Sequence, residues 1–151
     1  FSNTLNFNAG VTTDRDSEAF VKIQKLIELP QDYIEKYYSE IEQTAFADPE
    51  STLENDRKIM VLNGEAYSVG QLELWDSKEF IEKNREVIYK VIKTQGRWFL
   101  SSPCISEGIN YIVTDDEETK RVLAEKIDAE FNGDLGKTKR LWLRKEIMKR
   151  F

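Results

Sequence analysis

The protein has 151 residues, of which 40% are hydrophobic and 11% aromatic, enough apolar side chain for one packed core and too little for two. The net charge is −6, and no apolar run approaches the roughly 20 residues a helical bilayer crossing needs, which argues against a disordered or membrane-bound chain. Histidine is absent and Cys104 is the only cysteine, so His-based nucleophilic and metal chemistry, internal disulfides and cysteine zinc sites drop out, and a reducing compartment is expected.

The chain opens at Phe1 without a Met or a signal-like segment, which reads as a processed fragment. Residues 1–16 are rich in Ser, Asn, Thr and Asp without a sustained period and are expected to form a flexible arm. Residues 17–56 read as a helical hairpin. Ser17 can cap its first helix, with Phe20, Val21, Ile23, Leu26 and Ile27 on one side up to Pro30. Its second helix carries Tyr33, Ile34, Tyr37, Tyr38 and Ile41 and stops before Asp48-Pro49.

From Arg57 the period changes. Lys58 to Leu62 has strand composition, Asn63-Gly64 is a hairpin turn pair, and Tyr67 to Trp75 returns as a second strand interrupted by Gly70. Asp76 with Glu79 reads as a capping box for one long helix bearing Phe80, Ile81, Val87, Ile88, Val91 and Ile92 and ended by Gly96. Arg97 to Leu100 and Ile109 to Val113 read as strands. Thr114 with Glu117 caps a further helix, with Val122, Leu123, Ile127 and Phe131 on its buried side and Asn132-Gly133 at its end.

The stretch from Lys137 to Phe151 holds seven of the 22 basic residues and one acid, leaving the remainder with 15 bases against 27 acids. Leu143, Ile147 and Phe151 recur every four residues beside Trp142, which predicts a basic amphipathic helix. Its Lys139, Arg140, Arg144 and Lys145 can contact nucleic-acid phosphates or an acidic protein, or else neutralise the acidic remainder of the same domain. Asp115, Asp116, Glu117 and Glu118 invite a metal reading, but carboxylates in the first turn of a helix are stabilised by its free N–H groups, and that role is preferred.

The order strand, helix, strand, strand, helix, terminal helix over residues 57–151, with Gly96 after the long helix, Lys120-x-x-x-Ala124 and Trp142, resembles the BRCT family. The resemblance implies an α/β or α+β domain: a small central sheet of about four strands flanked by helices, preceded by the 17–56 hairpin as part of one packed unit. It further implies a non-catalytic interaction module in a DNA-repair or nuclear scaffold, binding a protein partner that can be phosphorylated. In that family a phosphate is held by positions that match Asn63, Gly64 and Lys120, an amide, a backbone N–H and an ammonium. No catalytic residue, metal or cofactor is expected. The alternative is a small acidic inhibitor or immunity-type protein that covers a basic or nucleic-acid-binding surface; a carboxylate-dependent enzyme comes third. Location would be nuclear for a BRCT-like module and cytoplasmic otherwise.

Overall fold

The computed structural model describes residues 5, 7, 9–10, 12–27, 30, 32–94 and 96–151. Thirteen elements follow in order: α1 (Asp14–Ile27), α2 (Tyr33–Ala47), α3 (Pro49–Asp56), β1 (Lys58–Leu62), β2 (Glu65–Gln71), α4 (Ser77–Lys83), α5 (Arg85–Ile92), β3 (Arg97–Cys104), β4 (Ile109–Val113), α6 (Glu117–Ile127), β5 (Glu130–Asn132), β6 (Leu135–Lys137) and α7 (Arg144–Met148). Six strands form one sheet in the order β1-β2-β3-β4-β6-β5. β2 and β3 run parallel, and every other neighbouring pair is antiparallel. The parallel pair requires a crossover, which α4 and α5 supply.

The sheet divides two cores, because successive side chains on a strand point to opposite faces. Trp98, Leu100, Tyr111 and Val113 face α4, α5 and the ends of α2 and α3, where Ala45, Leu53, Phe80, Ile88 and Ile92 pack. Phe99 and Ile112, with Tyr67 and Val69, face α6 and α7, where Leu123, Ile127, Trp142 and Ile147 pack. α2 and α3 thus share a core with the sheet. Gly70 is no interruption of β2: a Cβ there would lie 2.8 Å from the Ile92 side chain and 3.0 Å from that of Leu100, so the glycine lets α5 lie close on the strand.

Asn63 and Gly64 turn β1 into β2 with φ of 51° and 80°, the left-handed pair that a two-residue hairpin needs. Asp76 caps α4 by accepting from the Lys78 and Glu79 amides at 3.1 and 3.2 Å, whereas Glu79 pairs with Lys83. The single long helix expected from there is two helices. They break at Asn84, whose side-chain amide donates to the Phe80 carbonyl and competes with the helical ladder. At α6 the cap is Asp116, accepting from the Thr119 amide at 2.9 Å. Thr114, expected in that role, donates to the Trp98 carbonyl instead. α6 ends at Asp128 in the left-handed region, earlier than expected, and Gly133-Asp134 turns β5 into β6.

Three further expectations are corrected. The sheet has six strands, not about four, because residues 130–137 form a hairpin of two three-residue strands, too short to show an alternating pattern. The basic segment is not one helix: it is β6, then an extended run, then the five-residue α7. Val21, Ile23, Leu26 and Ile27 are exposed, since α2 and α3 already close the core and no residue of α1 is buried. Within the segment expected to be an arm, Leu5 and Ala9 are buried against Tyr38, Ile105, Leu141 and Leu143.

What straightens residues 138–142 is buried Asn110 on β4. Its backbone exchanges bonds with Thr138, accepting the Thr138 N–H at 3.0 Å and donating to Thr138 Oγ1 at 2.9 Å. Its side chain then acts as a strand partner for Trp142, accepting from the Trp142 N–H and donating to the Trp142 carbonyl, both at 2.8 Å. Asn110 Nδ2 also donates to Ser101 Oγ. Asn110→Ala orphans these buried groups and is expected to lower unfolding stability by roughly 2–4 kcal/mol, read as a shift of the urea midpoint.

Candidate functional site

Below this clamp, α7 starts at Arg144, and its first turn meets the ends of α3 and β2. α3 begins with Asp48 accepting from the Ser51 amide and with Pro49 at the first helical position, and it ends at Asp56. The Asp56 carboxylate accepts the Gln71 N–H at 2.5 Å and binds Arg144 in a fork: Nη1 to Oδ2 at 2.7 Å and Nη2 to Oδ1 at 3.3 Å, with Nη1 also reaching the Asp56 carbonyl at 3.0 Å. Gln71 bridges the elements, its Oε1 accepting the Arg144 N–H and its Nε2 donating to Glu73 Oε1 at 2.8 Å. Residues 56, 71, 73 and 144 are thereby fixed to one another by bonds between three elements.

This network forms one wall of an open cleft of about 470 Å³, lined by Lys58, Met60, Gln71, Glu73, Leu143, Arg144, Lys145 and Met148. Lys58 and Lys145 enter no ion pair among the described residues, and both are exposed. Arg144 is held by Asp56, yet a guanidinium has five N–H donors, so Nε and the second Nη2 hydrogen remain. Half-buried Glu73 is the unusual group. Burial, reinforced by the Asp56 carboxylate and opposed by the Gln71 hydrogen bond and Arg144, pushes its carboxyl up to about 7. The cleft thus pairs two unneutralised ammoniums and a fixed guanidinium with an acid that changes charge near neutrality. Such a set suits a multiply charged oxyanion.

Of the residues singled out in the sequence, Arg144 and Lys145 reach this cleft. Lys139 lies 3.6 Å from Glu130 at the surface. Arg140 pairs with Glu146 and stacks its guanidinium 3.3 Å over the Trp142 ring, at the mouth of a separate cleft that also has Lys149 and Arg150. Asn63 and Gly64 are exposed in the β1–β2 turn. Lys120 lies on α6 with its ammonium 2.7 Å from Glu117. Asp116 caps α6 and pairs with Arg97, and Glu117 and Glu118 lie in its first turn, so these three serve the start of α6 as expected, whereas Asp115 pairs with Lys93 and accepts from the Trp98 ring N–H. Asp76, Cys104 and Glu107 place ligand-type atoms within 4.8 Å of one another, but Asp76 caps α4, Cys104 Sγ contacts the Trp75 carbonyl, and Glu107 accepts from Tyr111. Asp56, Lys58, Gln71 and Glu73 were missed. The signal for the last two was Gln71-x-Glu73, two polar residues at alternate positions where an apolar strand ends.

No protein-family model matches the chain, and no curated protein matches it. Among solved structures the fold is similar to that of a Methanococcus jannaschii protein provisionally assigned as a family II inorganic pyrophosphatase, with a TM-score of 0.75 and 19% identity over 99% of this chain. The match spans 52% of that protein, so this chain corresponds to about half its length. The likeness establishes a shared fold. It also overturns the expectation of a non-catalytic interaction module of DNA repair, and of its acidic-inhibitor alternative, since the architecture is one found within a chain provisionally assigned as a pyrophosphatase.

The raised Glu73 carboxyl has a direct consequence for stability. Between its ordinary value of 4.5 and the folded value of about 7 the folded chain holds a proton that the unfolded chain has lost, so stability falls as pH rises through that window. Glu73→Gln, which cannot ionise, is expected to raise the melting temperature relative to wild type more at about pH 8.5 than at about pH 5. Equal shifts at the two pH values would show that Glu73 titrates normally.

Proposed function

We propose that the chain is the oxyanion-binding part of a phosphoanhydride hydrolase of the pyrophosphatase type, with Lys58, Arg144 and Lys145 gripping the phosphoryl oxygens. The observation that carries this reading is the convergence of those three cations on one cleft, two of them unpaired, in a fold shared with about half of a pyrophosphatase-like protein. Hydrolysis of pyrophosphate adds water to one phosphorus, breaks its bond to the bridging oxygen and leaves two phosphates. As that bond breaks, negative charge grows on the departing phosphate, and fixed cations lower its energy without having to reorganise. Arg144 suits this task because the Asp56 fork holds its guanidinium in place. The exposed ammoniums of Lys58 and Lys145 can follow the oxygens as they separate.

With no histidine in the chain, proton transfer to or from the attacking water falls to groups beyond the three cations. The role assigned to this cleft is binding and charge neutralisation. Calorimetric titration with pyrophosphate at low salt tests it. Lys145→Ala and Lys58→Ala are each expected to weaken binding by about tenfold or more, the loss of one charge-assisted contact, whereas Lys139→Ala leaves it unchanged. Binding that is indifferent to Lys58 and Lys145, or equally sensitive to Lys139, would remove the reading.

A further inference from the structure

The cleft that faces the anion contains an acid, and the acid is not neutralised by design. Glu73 lines the same wall as the cations, half-buried, with Gln71 Nε2 on its Oε1 at 2.8 Å and no ion pair among the described residues. The nearby cation that would ordinarily neutralise it, Arg144, is already forked onto Asp56. Around Glu73 stand Asp56 at the end of α3, Lys58 on β1, Gln71 on β2, and Arg144 and Lys145 on α7. An ionised Glu73 would present a like charge to any phosphoryl oxygen held by Lys58 and Lys145. A protonated Glu73 would present an O–H donor to that oxygen.

We propose that the cleft binds its oxyanion together with one proton, carried by Glu73, so that the acid donates a hydrogen bond to the bound anion and expels it on ionising. This rests on the oxyanion reading of the cleft and adds the means of its regulation: affinity is high in mildly acidic solution and falls as the pH rises past neutrality. Burial and the Asp56 charge place the free acid's titration at about 7, where a bound anion would shift it further upward. Glu73 acts here as a positioning and selectivity group and makes or breaks no bond of the substrate. Its neighbour Gln71 links the acid to α7, because the same side chain accepts the Arg144 N–H.

Sulfate is the appropriate probe, because it stays dianionic across the range and any proton taken up must come to the protein. Calorimetric titration of the wild-type protein in buffers of different ionisation enthalpy, at about pH 7, is expected to show uptake of roughly half a proton per sulfate, and affinity should fall by roughly tenfold or more from about pH 6 to about pH 8.5. In Glu73→Gln, whose amide still donates, the pH profile should be flat and binding at the upper pH stronger than in wild type. Sulfate binding that Lys145→Ala weakens, but with no proton uptake and the same pH profile in wild type and Glu73→Gln, would overturn this inference and leave the oxyanion cleft standing. No binding of sulfate or pyrophosphate at either end of the range would overturn both. The uptake measurement needs no variant, so a failure of Glu73→Gln to fold does not protect the proposal.

Discussion

The arrangement of the candidate site depends on one buried amide. Asn110 is fully buried on β4, and its backbone and side chain together hold Thr138 and Trp142 as though they belonged to a further strand. The spacing of apolar residues in this basic run suits a helix, but a short helix is stable only where tertiary packing supports it. Pinned at Trp142 instead, the chain enters α7 through its cap residue Leu143, whose N–H is accepted by Glu146 Oε2 at 2.9 Å. That start puts Arg144 on Asp56 and Lys145 in the cleft that Lys58 also lines. A buried polar group with every bond satisfied specifies a single arrangement where an apolar contact would tolerate several.

Electrostatics follow from this placement. The seven bases between Lys137 and Phe151 suggest a continuous positive surface, but the fold distributes them to different neighbours. Arg144 is consumed by Asp56, Arg140 by Glu146 and the Trp142 ring, and Lys139 faces Glu130. Lys145, like Lys137, Lys149 and Arg150, enters no ion pair among the described residues, and the antiparallel hairpin at the sheet edge places Lys58, from more than eighty residues earlier, in the same cleft. An acidic protein thereby keeps a small cationic cleft. Within it, Glu73 is half-buried among charges of both signs, and the balance of burial and Asp56 against Arg144 sets its titration near neutrality.

Much of the local structure was legible in the sequence, for reasons that can be named. The Asn63-Gly64 turn, the Asp76 cap and the strands at Lys58, Arg97 and Ile109 are dictated by residues adjacent in the chain. Elements that depend on distant partners were not legible. β5 and β6 are three residues each and exist because β4 offers an edge, and Asn84 splits a helix whose apolar stripe is continuous. In the candidate site, Arg144 and Lys145 stood out by charge, while Asp56 and Gln71 hold the cleft through bonds that span from 15 to 88 residues, which no local pattern encodes, and only the Gln71-x-Glu73 spacing was there to be read. The expectation of no catalysis, drawn from the missing histidine, meets a finding of a different kind, the fold's likeness to about half of a chain provisionally assigned as a pyrophosphatase. That expectation treated the chain as supplying every group of a site, whereas the matched fold spans only about half of the neighbour's length.

Amide chemical shifts followed by NMR during addition of pyrophosphate test most directly whether the Asn110-held α7 and the end of β2 form the anion site. The amides of Gln71, Glu73, Arg144 and Lys145, with Lys58, should move together and saturate with a single binding constant. Shifts confined to the Asn63-Gly64 turn and Lys120, or to the cleft of Arg140 and Arg150, would contradict it.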